Sequence, residues 1–288
     1  MSDEGKELSR RKFLRGGLLT AGAVAVGAGV LAPFDQNVAI ASPTDPTSTN
    51  EPMGLPWPYT PLDPEATKAL AYEGYYARKC SYGVFYAIIK QLQDKIGYPY
   101  TMIPMEILAW GEGGGAGWGT LCGALCGANT ALGFIVGPKQ EDMMSVVAEI
   151  LGWYTDYSFP TYLPPDDKAR VKGALPSSIS GSPLCHVSVA KWCDVSGFKA
   201  EGKQRSERCG RVTADVAAKT VEILNAWHEK KFVPVYKQPE SWNECMSCHG
   251  KGKSLENARG KMDCVDCHTD VNPSDLLSHI KKAWNIKD

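Results

Sequence analysis

Leu121-Cys122-Gly123-Ala124-Leu125-Cys126-Gly127-Ala128 opens an Ala/Leu-rich segment that runs to Leu132 and reads as the start of a helix. Side chains four residues apart share a helix face, so Cys122 and Cys126 can point the same way. The positive end of the helix favours thiolates there, or the negative charge of a metal cluster. Just upstream, Gly111-Glu112-Gly113-Gly114-Gly115-Ala116-Gly117-Trp118-Gly119 reads as a flexible loop. It follows no convincing strand and lacks a Gly-Lys-Ser/Thr ending. Close backbone packing, or approach to a cofactor, therefore explains it better than phosphate binding.

Helical patterns recur on both sides of this stretch. Asp63-Pro64-Glu65 is a cap with an acidic first turn, and the helix it starts is predicted to run to about Ile96, where Gly97, Pro99 and Pro104 end it. Met144, Val147, Ile150 and Leu151 predict an amphipathic helix over 140–154. Val216, Val221, Leu224 and Trp227 predict a long one over 212–231. The proline-rich stretch from about 159 to 210 reads as loop, and no strand run is long enough to build a sheet. The predicted fold is mainly α. An extended lead-in over 42–64 precedes a helical, cysteine-containing domain over 65–235, and a small segment with little regular structure follows over 240–288.

That last segment is too small to bury a core alone. It contains Cys245-Met246-Ser247-Cys248-His249 and Cys264-Val265-Asp266-Cys267-His268, both of the form C-x-x-C-H. Two thiols at this spacing can add across the two vinyl groups of one porphyrin, and the adjacent histidine then meets the iron. A four-cysteine zinc ribbon accounts for the cysteine pairs but not for a histidine after each. The expectation is two haem c groups per chain, with His249 and His268 as proximal ligands and the porphyrins supplying the missing core. From Cys248 to Cys264 is 16 positions, about 24 Å if helical and less if the chain folds back, so the haems are expected to be near neighbours.

The N-terminus points to export. Ser9-Arg10-Arg11-Lys12-Phe13-Leu14 is a twin-arginine string, an apolar run follows from about Leu18 to Leu31, and Ala39-Ile40-Ala41 is a small-residue cleavage signal. The apolar run is short and rich in Gly and Ala, and no other stretch is long enough to span a membrane. Residues 1–41 therefore read as a signal peptide, and the mature chain is expected in the periplasm without stable membrane insertion. Cleavage removes five of the 31 basic and four of the 32 acidic residues, leaving a balance of −2. Nothing in that balance indicates nucleic acid. Twin-arginine export carries folded passengers, so a cofactor inserted in the cytoplasm is expected ahead of the haem motifs.

Six of the ten cysteines remain: Cys80, Cys122, Cys126, Cys185, Cys193 and Cys209. Outside the cytoplasm an even number invites three disulfides, and an iron–sulfur cluster held by four of them is the alternative. Of the histidines, His279, in a short predicted helix over 275–284, and His228, one turn beyond Leu224, are candidates for the sixth haem positions. His186 adjoins Cys185 and belongs with the cysteine neighbourhood. Met246 and Met262 sit beside their own haem-binding strings and are poorer candidates.

Cys80, Gly113-Gly114-Gly115, the Cys122–Ala128 string, Cys185 and Cys209 before an amphipathic helix together resemble the redox-active C_GCAxxG_C_C family over roughly 65–231. The chain departs from that motif with Leu121 before Cys122 and Gly123 after it, and it adds Cys126 and Cys193. With the twin-arginine leader and two C-x-x-C-H motifs, the whole chain resembles the split-Soret cytochromes c of sulfate-reducing bacteria. That resemblance implies a dihaem subunit, bis-histidine ligation and a homodimer with its haems gathered at one end. It also implies an iron–sulfur site in the N-terminal domain, best matched by Cys80, Cys122, Cys185 and Cys209, with Cys126 and Cys193 as alternates.

Two histidine ligands leave no iron position for a substrate, which favours electron transfer over catalysis. The expected function is a periplasmic electron carrier exchanging electrons with redox partner proteins. The alternative is a small haem reductase acting on nitrite, oxygen or metal ions at an open haem position.

Overall fold

The computed structural model describes residues 54–268 and residue 275, so the leader, its cleavage site and His279 lie outside the described residues. Helix α1 (Pro64–Ile96) starts where the sequence places it. The Asp63 carboxylate accepts the Glu65 N–H at 2.9 Å, and Pro64 occupies the first helical position. It is not one continuous helix as predicted, because Arg78 and Lys79 leave helical geometry, Lys79 with φ 67°. The two halves press together where Gly74 meets Gly83; a Cβ on Gly74 would lie 2.9 Å from the Gly83 Cα. The break makes Cys80 the first residue of the second half.

Helix α2 (Gly123–Val136) and helix α3 (Gln140–Asp156) follow two 3-10 turns, Tyr100–Met102 and Met105–Gly111. Two-residue strands β1 (Ser158–Phe159) and β2 (Ser178–Ile179) pair antiparallel and close the intervening loop without forming a larger sheet. Helix α4 (Cys185–Ser196) and helix α5 (Lys203–His228) complete the cysteine-bearing part, and helix α6 (Glu240–His249) lies in the C-terminal segment. The fold is mainly α, as predicted.

The core is made where α1 packs on α5 and α2. Phe85, Ile88, Ile89 and Leu92 meet Leu125, Ala128 and Leu132 from α2 and Val216, Val221 and Leu224 from α5, all fully buried. Burying each such side chain contributes about 1.5–3 kcal/mol.

Two predictions fail between 159 and 210. The prolines that marked this stretch as loop stop at Pro183, and α4 begins directly after. Helix α5 also begins at Lys203 rather than 212. Glu207, Arg208 and Arg211 in its first turns are buried. Arg211 donates to Glu207 at 2.9 Å and to the carbonyls of Val171 and Gly173, and Tyr72 and Tyr76 also donate to Glu207. A buried ion pair is tolerated when its remaining hydrogen-bonding capacity is filled in this way.

The route from α5 to the C-terminal segment is fixed by Glu149 of α3. This buried carboxylate accepts the backbone N–H groups of Val235 and Tyr236 at 2.9 and 3.0 Å. No helix among the described residues is long and apolar enough to cross a membrane.

Candidate functional site

Cys80, Cys122, Cys185 and Cys209 line a single cavity of about 610 Å³. Each comes from a different helix. Cys80 starts the second half of α1, Cys122 is the N-cap of α2, Cys185 is the first residue of α4, and Cys209 lies in α5. Three helix N-termini thus reach the same cavity, and their partial positive charge favours an anionic occupant.

The starts of α2 and α4 are tied together by backbone hydrogen bonds. Cys122 N–H donates to Pro183 O at 2.9 Å, Cys185 N–H to Thr120 O at 2.7 Å and His186 N–H to Gly119 O at 3.1 Å. The glycine-rich loop therefore packs against α4, and its Gly113, Ala116 and Gly117 form part of the cavity wall. Close packing was the expected role, and the structure assigns it. Gly123 is needed for the same reason: a Cβ there would lie 2.4 Å from Cys80 Sγ and 2.3 Å from Gly111 O.

Backbone N–H groups also face the sulfurs, Gly113 toward Cys80 and Ala124 toward Cys122. Burial pushes the Cys80 and Cys122 thiols up, Cys80 well above its ordinary value, and pushes Cys185 up to about 12. As bare thiols they are protonated at neutral pH and poor nucleophiles. A metal binds cysteine as thiolate and displaces those protons.

Cys126 and Cys193 do not line the cavity. Cys122 is the non-helical N-cap of α2 (φ −52°, ψ 130°), and of the two four-apart cysteines only Cys122 lines the cavity. Among the described residues, no three Cys, His, Asp or Glu side chains converge as a single-ion site. The four thiols surround a space instead.

Sequence reasoning missed the polar wall of this cavity. Arg208 is 2 % exposed and donates from Nη2 to Ser188 Oγ at 2.8 Å, and Tyr154 donates to the same oxygen at 2.9 Å. The Tyr154 hydroxyl also lies within hydrogen-bonding reach of Cys122. The available signal was Arg208 directly preceding Cys209 in a helix. At the rim, Lys79 pairs with Glu112 and Arg205 with Glu201, each at 3.8 Å. Four cysteines, helix N-termini and a buried cation with an unpartnered Nε fit an anionic metal–thiolate group.

The two C-x-x-C-H strings form a second cysteine group. The first lies on α6, and the second closes one helical turn, with Cys267 and His268 N–H donating to Cys264 O at 3.1 and 2.9 Å. A helical turn brings residues at i, i+3 and i+4 to one face, which is what two thioethers and a ligand to one porphyrin need. The strings are neighbours, since the Cys245 and Cys264 side chains lie within hydrogen-bonding reach. Ser241 Oγ donates to Asp263 at 2.8 Å, and Trp242 Nε1 donates to Gly260 O at 3.0 Å. His249 Nδ1 is 2.6 Å from Asn257 Oδ1, a contact that orients the imidazole ring. His268 is exposed. His228 is exposed at the end of α5, edge-on to Tyr59 at 5.5 Å, and His186 is exposed beside Gly119.

Comparison with known proteins gives concordant results. Residues 79–223 match the family described as "Putative redox-active protein (C_GCAxxG_C_C)". The chain is 38% identical over 256 residues to split-Soret cytochrome c of Desulfovibrio desulfuricans (strain ATCC 27774 / DSM 6949 / MB), covering 86% of this chain and 91% of that protein. It is also similar to a solved structure described as "A novel iron centre in the split-Soret cytochrome c from Desulfovibrio desulfuricans ATCC 27774". The TM-score is 0.70 at 38% identity, over 77% of this chain and 95% of that one.

Proposed function

The chain belongs to the split-Soret cytochrome c family and carries the C_GCAxxG_C_C domain, and from this premise we propose that it is a periplasmic electron carrier with two haems c and an iron–sulfur centre in each subunit. Family membership supports the coarser function, an electron-transfer haem protein exchanging electrons with redox partners. The finer assignment rests on one observation. Four cysteines line one cavity, and four others lie on two adjacent helical turns.

In this proposal Cys245 and Cys248 hold one haem with His249 beneath it, and Cys264 and Cys267 hold the other with His268. Asn257 fixes the His249 ring through Nδ1. His228 and His279 remain the proposed sixth ligands. Cys80, Cys122, Cys185 and Cys209 hold the iron–sulfur centre, with Gly113 and Ala124 N–H directed at two of the sulfurs. Both kinds of group supply one-electron redox chemistry when bound. The helix N-termini and Arg208 that face the cavity oppose its negative charge. Residues 65–235 serve as the cluster domain and 240–288 as the haem domain of a homodimer, reached through the Arg10-Arg11 leader of residues 1–41.

The experiment is an electronic and spin-state spectrum of the purified ferric protein with added cyanide, then of the reduced protein with carbon monoxide. A low-spin spectrum unchanged by either ligand is expected of the carrier. A high-spin fraction that binds them points instead to a reductase with an open haem position.

A further inference from the structure

Arg208 and Arg211 are one helical turn apart on α5 and almost equally buried, at 2 % and 1 % exposure, but only one is neutralised by a carboxylate. Arg211 has the Glu207 carboxylate at 2.9 Å and two backbone carbonyls. Arg208 has no carboxylate partner among the described residues, and its Nε has no hydrogen-bond partner at all. Its Nη2 donates to the neutral Ser188 Oγ, and the Cys209 side chain also lies within hydrogen-bonding reach. An isolated cation in a protein interior is strongly unfavourable unless an opposite charge lies nearby. The groups electrostatically closest to Arg208 are Cys209, Tyr154 and Cys122, and two of these are cavity cysteines. The guanidinium itself is part of the cavity wall.

We propose that Arg208 is the built-in counter-charge of the cavity centre, a positioning residue that offsets the negative charge of the cysteine sulfurs. The inference rests on the assignment of the cavity to an iron–sulfur centre. It carries two linked consequences. With the centre bound, Arg208 holds the iron in place and favours the reduced, more negative state. With the iron removed, the same cation is uncompensated and destabilises the fold. Arg205 is a weaker contributor because Glu201 already faces it at the exposed rim.

These opposite signs separate a counter-charge from an ordinary packing role. The test uses the full haem-loaded chain, as wild type and as Arg208→Met, which keeps much of the volume and removes the charge. Three quantities are read: loss of non-haem iron to a chelator, the reduced-to-oxidised ratio of the centre at fixed potential, and the melting temperature before and after iron removal.

Arg208→Met is expected to lose non-haem iron at least tenfold faster. Its reduced-to-oxidised ratio should fall about tenfold, equivalent to about 59 mV for a one-electron couple. After iron removal it should melt at a higher temperature than iron-free wild type, while the haem spectra stay the same. Lower melting temperatures for both forms of the variant, or wild-type iron release and potential, would overturn the proposal. If Arg208→Met does not accumulate, Arg208→Gln is judged by the same outcomes. A wild-type protein with no non-haem iron would sink the cluster assignment itself, a result distinct from a centre indifferent to Arg208.

Discussion

The cavity cysteines and the C-x-x-C-H cysteines are built in opposite ways. Each C-x-x-C-H string is positioned by one helical turn, so its geometry is written within five consecutive residues. The cavity cysteines come from four helices, and none is positioned without the broken α1, the extended N-cap of α2 and the buried polar start of α5. Their surroundings differ as well. Cys80 and Cys122 are buried, whereas Cys267 and His268 are exposed. The cavity is a product of the completed fold, and the motifs depend far less on it. That accords with a centre acquired by a folded domain and with haems attached to a locally formed segment.

The largest expected effect tests whether the two groups are independent. Replacing Cys245 and Cys248 together by Ala should halve the haem per chain, measured by pyridine haemochrome absorbance against protein concentration. Non-haem iron should be retained. Parallel loss of both would mean that the cavity depends on the haem segment after all.

A smaller effect is expected where the fold creates the cavity. Gly123→Val places side-chain carbon against Cys80 Sγ and Gly111 O, both within 2.4 Å of the first added atom. Overpacking of this kind costs about 1–3 kcal/mol, read as a lower denaturation midpoint. Non-haem iron should fall while haem per chain is unchanged. An unaltered midpoint would show that α2 can move away from Cys80 freely.

The smallest effect concerns a contact between the two regions. Lys191 of α4 pairs with Asp266 of the second motif at 3.2 Å. Both side chains are partly exposed, so Lys191→Ala should cost only about 0.2–1 kcal/mol, less at high salt. A larger loss would assign this pair a docking role that its exposure does not support.

The same division explains what the sequence made legible. The haem strings, the Asp63 cap of α1 and the apolar stripes of α3 and the later part of α5 depend on spacing within a few residues, and they could be read directly. The break at Lys79 could not, because it reflects packing of Gly74 on Gly83 and not a helix-breaking residue. The start of α5 falls in the stretch read as proline-rich loop, and the burial of Glu207, Arg208 and Arg211 depends on partners far away in sequence. Helical spacing groups Cys122 with Cys126, yet only Cys122, the N-cap, lines the cavity. The four cysteines were grouped through family resemblance, and the fold now gives a physical reason for the grouping.

The central claim is that the cavity cysteines hold iron separate from the haems. It is tested most directly by total iron, haem and acid-labile sulfide in the purified mature protein, measured beside a Cys122→Ser variant. The account predicts iron in excess of haem with sulfide present in the wild type, and loss of the excess and the sulfide, but not of haem, in the variant. Equal iron and haem in the wild type, with no sulfide, would contradict it.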